Sequence, residues 1–285
     1  MERRVGSNGV VYYASPLLEQ LGVRHGFSTR LGGKSPPPFH SLNLGNPSGC
    51  DVQDDFPRIY ENFELFQTAC GVANRPRCWV HQIHGGEVVL VRRGEPFENG
   101  PRADALVSDD PTRVMSVRVA DCVPVLIASE DGCIVAAVHA GWRGVIAGVV
   151  PNALSAVRRL ASGKKTNIEH PTSNIECSMN PPTDVAAAAI GPAIGFDAFE
   201  VGPEVLAEFE RVFGAHAPIR RRDDGKGLVD LRAAIRMQLL AAGVAPDRID
   251  LSERCTFRDA DEFFSHRRER GVTGRMAAII SPVGA

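Results

Sequence analysis

Two short apolar runs, residues 123–128 (VPVLIA) and 133–138 (CIVAAV), stand on either side of the polar turn Ser129-Glu130-Asp131-Gly132. Runs of this length, split by an acidic turn that contains glycine, predict a β-hairpin. In such a hairpin the start of the first strand lies beside the end of the second. Cys122 precedes the first run and His139 follows the second, so the pairing predicts that these two side chains are neighbours.

The rest of the chain mixes both periodicities. Residues 54–70 repeat Phe56, Ile59, Phe63 and Phe66 at three- and four-residue steps, which predicts a helix. Asp54 and Asp55 suit its first turn and Gly71 its C-terminal end. A second helix is predicted over residues 143–161, with Val145, Val149, Leu154, Val157 and Leu160 on one stripe. Pro151 lies inside that pattern and is expected to start a second segment or kink it. Further helices are predicted over 199–213 and 228–244, the latter with Leu228, Leu231, Ile235 and Leu239 facing inward. Extended segments are predicted over 77–93 (broken at His81 and His84), 103–108, 114–128, 185–190, 248–257 and 276–283. Residues 23–49 are dense in Gly, Pro, Ser and Asn, and read as one long loop tied down by Phe27, Leu31, Phe39, Leu42 and Leu44. Residues 216–227 read as a polar loop.

Strands outnumber helices and do not alternate with them regularly. That predicts an α+β class, a single layered domain over residues 1–285 with mixed β-sheets flanked by helices. The polar, Pro-rich stretch 162–184, which carries His170 and Cys177, reads as a surface insertion.

Composition narrows the function classes. The chain has 285 residues and a net charge of -2, which leaves no basic footprint for nucleic acid or for a membrane surface. No apolar run approaches the ~20 residues of a membrane-spanning helix, and the N-terminus shows no signal-peptide core. Seven cysteines, odd in number and irregular in spacing, argue against a disulfide framework and for a reducing cytoplasm.

The candidate chemistry gathers around the predicted hairpin. A catalytic zinc needs three His, Cys or carboxylate ligands and one open position. Cys122 and His139 supply two, and His81 or His84 could supply the third. A Cys122–His139 nucleophile pair is the alternative. Asp121 is a charge set against an apolar strand and needs a partner. Arg143 opens a helix behind a Gly-rich turn, where an anion could sit. Arg30, Arg267 and Arg268 are further anion-binding candidates.

The segments HGFSTRLGG, PFHSLNLG, HQIHGGEV, ADALVS, ADCVPVL, AAVHAGWRG, IGPAIG, FEV, CTF and FFSHRR occur in this order between about residues 24 and 281. Their combination resembles the bacterial YfiH/YlmD-like proteins, a family also called polyphenol oxidase, laccase-domain or purine nucleoside phosphorylase. The resemblance implies an α+β fold similar to the catalytic domain of cytotoxic necrotizing factors. It also implies a metal site on His84, Cys122 and His139, which resolves the choice of third ligand. Ser28, Arg30, Asn43, Arg143 and Arg267 match residues expected around the substrate, and Asp121 would steady a metal ligand. The implied activity is zinc-dependent purine nucleoside chemistry: phosphorolysis of adenosine, inosine, guanosine or methylthioadenosine, and deamination of adenosine. An amidase that edits peptidoglycan precursors, copper-dependent phenol oxidation, and metal binding without catalysis are the alternatives. The partners implied are small molecules, with neither nucleic acid nor membrane. His266 stands where the resembling motif carries Tyr.

Overall fold

The structure, a computed structural model, describes residues 1–162 and 185–284. Apart from Ser162, the expected insertion at 162–184 therefore lies outside the described residues. Strands β1 (Glu2–Val5), β2 (Val11–Ala14) and β3 (Arg24–Ser28) come first, with the short helix α1 (Pro16–Gln20) before β3. Helix α2 (Phe56–Ala69) leads into β4 (Arg77–Trp79), β5 (Val88–Val91), β6 (Ala105–Ser108), β7 (Val114–Val119), β8 (Val123–Ser129) and β9 (Val135–Ala140). Helices α3 (Trp142–Ile146) and α4 (Val149–Ala161) follow, then β10 (Val185–Ile190), β11 (Glu200–Val201) and α5 (Pro203–Phe213). The chain ends with β12 (Ile219–Arg221), β13 (Gly227–Val229), α6 (Leu231–Ala241), β14 (Ile249–Leu251) and β15 (Met276–Ser281).

These strands form two six-stranded mixed sheets, β1-β2-β3-β15-β7-β4 and β14-β10-β8-β9-β6-β5, and a small sheet β11-β13-β12. Period-two alternation decides which layer each side chain joins. In β15, Met276, Ala278 and Ile280 point into the core shared by the two large sheets. Ala277 and Ile279 point the other way, onto Ile59, Phe63 and Phe66 of α2. In β8, Leu126 and Ala128 face the first sheet, whereas Val123, Val125 and Ile127 face α4 and α6. The result is four layers, helix–sheet–sheet–helix, an α+β arrangement as the sequence predicts. Strands buried on both faces read as unbroken apolar runs, which is why β8 and β9 were legible without alternation.

The predicted hairpin is present: β8 and β9 pair antiparallel, with Val123 opposite Ala140 and Pro124 opposite His139. The segment 143–161 divides as expected, but the break comes before Pro151. Gly148 adopts a left-handed φ of 74° between α3 and α4, and Pro151 sits in the first turn of α4. Three expectations need correcting. Residues 24–28 are not loop but β3, an interior strand of the first sheet; their glycine and polar residues concealed it. The polar stretch 216–227 contains β12, which pairs with β13, and Leu228 belongs to β13 rather than to the following helix. Asp230 accepts a hydrogen bond from the Ala233 amide and starts α6 there. Phe56 is 64% exposed, one turn ahead of the part of α2 that reaches the sheet.

Two crossings between the sheets place the site. The chain leaves β4 in the first sheet and enters β5 in the second through residues 80–87; it leaves β7 and enters β8 through residues 120–122. His84 and Cys122 lie on these two crossings.

A buried histidine outside the site gives a testable pH dependence. His25 Nε2 accepts the Ser15 amide at 2.8 Å, and Nδ1 donates to the Val23 carbonyl at 3.0 Å. Burial holds its pKa below the ordinary value of 6.5. The folded state therefore binds fewer protons than the unfolded one, and this contribution, full above 6.5, is lost as the pH falls toward the folded pKa. Lowering the pH from about 7.5 to about 5.5 is expected to lower the melting temperature, and His25→Asn should reduce that drop. Calorimetric melts of both proteins at the two pH values measure it.

Candidate metal centre

One donor atom from each of His84, Cys122 and His139 lies within 4.8 Å of the others. The rings of His84 and His139 stand edge to face, 4.9 Å apart at an interplanar angle of 81°. His139 is 3% exposed on β9, Cys122 is half-buried, and His84 is exposed at the rim. Two imidazoles and a thiol converging from the rim and floor of one site form a donor set suited to a borderline-soft divalent ion. His81 is exposed and lies outside this group.

Asp104 assembles the group, and the sequence reading missed it. It sits just before β6, beside His139 of β9, and its carbonyl accepts the His139 amide at 2.8 Å. Its carboxylate Oδ1 contacts His139 Nδ1 at 2.8 Å, and the side chain is fully buried. The same carboxylate accepts the backbone amides of Ile83 (3.2 Å), His84 (2.9 Å) and Gly85 (2.6 Å). One side chain thus fixes the His139 ring and the loop carrying His84. With Nδ1–H donated to Asp104, the Nε2 lone pair of His139 is left for an ion. The available signal was a charge directly before the apolar run of β6, which must find a partner if buried.

Two non-glycine residues in the left-handed region complete the setting: His84 at φ 59° and Asp121 at φ 85°. Such conformations are held by their surroundings. Asp104 holds His84. Asp121 is held by Thr256, whose hydroxyl donates to Oδ1 at 2.6 Å, and by the Arg267 amide, which donates to Oδ2 at 2.7 Å. Asp121 is 9% exposed, and with both carboxylate oxygens occupied it fixes the backbone before Cys122. Gly141 follows β9, and a Cβ there would meet Cys122 Sγ and His84 Cδ2 at 3.0 Å each. Only a glycine lets the chain turn so close to two of the three donors.

The electrostatics favour a thiolate. Burial alone pushes the Cys122 thiol up, but His139 and then His84 outweigh it and bring the pKa down to about 6. For His139, burial pulls downward, whereas Cys122 and Asp104 raise it to about 9. Without an ion the pair is a thiolate facing an imidazolium near neutral pH; binding an ion displaces the imidazolium proton.

The other expected site residues separate into two groups. Ser28 is buried, and its hydroxyl accepts the Ala277 amide. Asn43 is fully buried: its Nδ2 donates to Asp54, and its Oδ1 accepts the Gly45 and Arg275 amides. Ser28 thus ties β3 to β15 within the first sheet, and Asn43 ties the 29–49 loop to the segment before β15. Arg30 is likewise engaged, with its guanidinium donating to the His40 and Ala260 carbonyls and stacked 4.5 Å over Phe264. Arg267 donates to the Glu200 carbonyl and lies over Phe199. Arg268 is spent on the Thr256, Phe257 and Phe263 carbonyls. Arg143 differs: it is exposed, lies 4.4 Å over Trp142, and makes no ion pair among the described residues.

Known proteins resemble this chain over most of its length. A family described as multi-copper polyphenol oxidoreductase laccase matches residues 24–282. The purine nucleoside phosphorylase YfiH of Escherichia coli is 37% identical over 259 residues, covering 91% of this chain and 93% of that protein. The purine nucleoside phosphorylase YlmD of Geobacillus stearothermophilus is 33% identical over 273 residues, covering 91% and 90%. The crystal structure of the Geobacillus YlmD superposes with a TM-score of 0.81 at 30% identity, covering 99% of both chains.

Two measurements test this centre. Asp104→Asn is expected to stay folded but to bind a divalent ion about 10- to 100-fold more weakly in chelator competition. In metal-stripped protein, alkylation at the Cys122 peptide should be half-maximal near pH 6, well below an ordinary thiol; half-maximal reaction above about pH 8 would contradict the thiolate assignment.

Proposed function

The chain belongs to the multi-copper polyphenol oxidoreductase laccase family, and we propose that within it the chain is a metal-dependent purine nucleoside phosphorylase. The observation that carries this reading is the His84–Cys122–His139 donor cluster fixed by Asp104, in a chain similar to proteins named for that activity. Zinc is the proposed ion, since it accepts a thiolate with two imidazoles and tolerates an open fourth position. When bound, it would supply a Lewis acid and an activated oxygen donor beside the substrate.

The chain's own residues have separate tasks in this proposal. His84, Cys122 and His139 hold the ion. Asp104 keeps His139 in the tautomer with Nε2 free. Asp121, through Thr256 and the Arg267 amide, fixes the turn that presents Cys122. Arg143, an exposed cation with no ion pair among the described residues, is proposed to meet the anionic co-substrate. In phosphorolysis a phosphate oxygen bonds to C1′ of the sugar as the N-glycosidic bond breaks. The bonding pair leaves with the base, which takes up a proton, so the products are free base and sugar 1-phosphate. Phosphorolysis of adenosine, inosine, guanosine and methylthioadenosine, together with hydrolytic deamination of adenosine, makes up the proposed range.

Copper-dependent phenol oxidation is the second reading, favoured by the family's description. A multi-copper mechanism needs several copper sites, and a single His/Cys cluster of this kind is found among the described residues. The donor count therefore favours a one-ion reaction.

The test is product analysis on metal-quantified protein given adenosine with and without phosphate. Phosphate-dependent adenine release is expected, and inosine would report deamination. Cys122→Ala should lose the ion and reduce turnover to less than about a hundredth. Undiminished adenine release by that variant would overturn the assignment.

A further inference from the structure

Strand β4 leaves the first sheet before its neighbour ends. Its parallel pairing with β7 stops at Trp79 opposite Ser116, yet β7 runs on to Val119. Alternation turns the amide and carbonyl of Arg118 toward the same edge as those of Val114, whose amide donates to the Pro76 carbonyl at 3.0 Å. By then the main chain of the crossing has moved away. The His81 amide donates to the Pro101 carbonyl at 2.8 Å, and the His81 carbonyl accepts the Ala103 amide at 3.2 Å, both on the approach to β6 of the second sheet. Left without partners, the peptide groups of Arg118 would cost stability.

The half-buried side chain of Gln82 fills that gap. Its Nε2 donates to the Arg118 carbonyl at 2.7 Å, and its Oε1 accepts the Arg118 amide at 2.8 Å. A carboxamide offers a donor and an acceptor in one plane, as a peptide group does. Gln82 therefore continues the β4–β7 ladder after the main chain has left it. The orientation of the carboxamide is fixed, because the Arg118 amide can only donate. Among the described residues no other hydrogen bond joins residues 81–87 to β7. The remaining ties of this crossing go elsewhere: Asp104 takes the amides of Ile83, His84 and Gly85, and Asn152 of α4 donates to the Gly86 carbonyl at 2.9 Å.

We propose that Gln82 is a positioning residue of the metal centre, and that its pairing with Arg118 sets the separation between the His84 and Cys122 donors. This rests on the reading that His84, Cys122 and His139 hold an ion; it does not require the nucleoside reading. Gln82 stands two residues before His84, and Arg118 four residues before Cys122. The link therefore joins the two crossings close to both donors. With it, three ties close a triangle. Asp104 joins the His84 loop to the His139 ring. The β8–β9 pairing joins the strand after Cys122 to His139. Gln82 joins the His84 loop to the strand that leads into Cys122. With the third tie cut, His84 keeps its hold on the second sheet, but its distance from Cys122 is no longer fixed from the first. Losing a group that holds a metal ligand in place typically weakens ion binding about 10- to 100-fold.

The test compares zinc affinity, by competition with a chromophoric chelator, in the full metal-loaded chain and three variants. Gln82→Met keeps the length of the side chain and removes both hydrogen bonds. Gln82→Asn keeps the carboxamide but falls one methylene short of Arg118. Gln67→Met is the control: Gln67 lies in α2, and its Nε2 donates to the Val72 and Arg75 carbonyls at 3.3 and 2.9 Å, so its hydrogen bonds involve neither crossing. Each Gln82 variant is expected to bind zinc at least about ten-fold more weakly, and Gln67→Met to bind it within about two-fold of the parent while melting at a lower temperature. With cobalt(II) in place of zinc, the visible bands that report ligand geometry should shift or weaken in the Gln82 variants alone. Parent-like zinc affinity in either folded Gln82 variant overturns the inference, as does an equal loss in Gln67→Met. A parent chain that takes up no zinc overturns the metal reading and this inference together, whereas zinc uptake indifferent to Gln82 leaves the metal reading standing.

Discussion

The Asp104 carboxylate bonds to the His139 ring from one side and to three successive backbone amides of the His84 loop from the other. It is fully buried, so these contacts replace the solvation that it gave up on folding. The geometry of the metal centre depends on this link. His139 comes from a strand of the second sheet, and His84 comes from a crossing between the sheets. Their rings also meet edge to face, but the Asp104 carboxylate is what ties the His84 backbone to the His139 ring. The left-handed backbone at His84 can be held only because its amide and those of its neighbours have a fixed acceptor.

The two-sheet architecture accounts for where the site lies. Crossings from one sheet to the other occur at the ends of strands, where the apolar alternation must stop and polar groups can be admitted. Both crossings here carry a donor, and glycine at 141 lets the following turn approach them. The buried hairpin of β8 and β9 supplies rigidity underneath. Ser28 ties β3 to β15, and Asn43 anchors the loop that flanks this region.

Charge is distributed in a way that the net value of -2 conceals. Most arginines are engaged by carboxylates or carbonyls, as with Arg254 on Asp259 and Glu262 or Arg268 on three backbone oxygens. Arg143, in contrast, is exposed and makes no ion pair among the described residues. It opens α3 directly after the turn at Gly141, which borders two of the donors, and so sets a positive charge near the metal centre.

The sequence by itself determined the elements whose signals are local. The apolar runs and the turn at 129–132 specified the hairpin, and from it the nearness of Cys122 to His139. The stripe Ile59, Phe63 and Phe66 specified α2, and the motifs carried the family and the three donors. Only the tertiary structure decided the rest. Asp104 and Asp121 are each a carboxylate beside an apolar run, and no periodicity says which one reaches an imidazole. Strand register put Asp104 beside His139 and turned Asp121 toward Thr256. The 24–28 segment became an interior strand because β2 and β15 were there to pair with it.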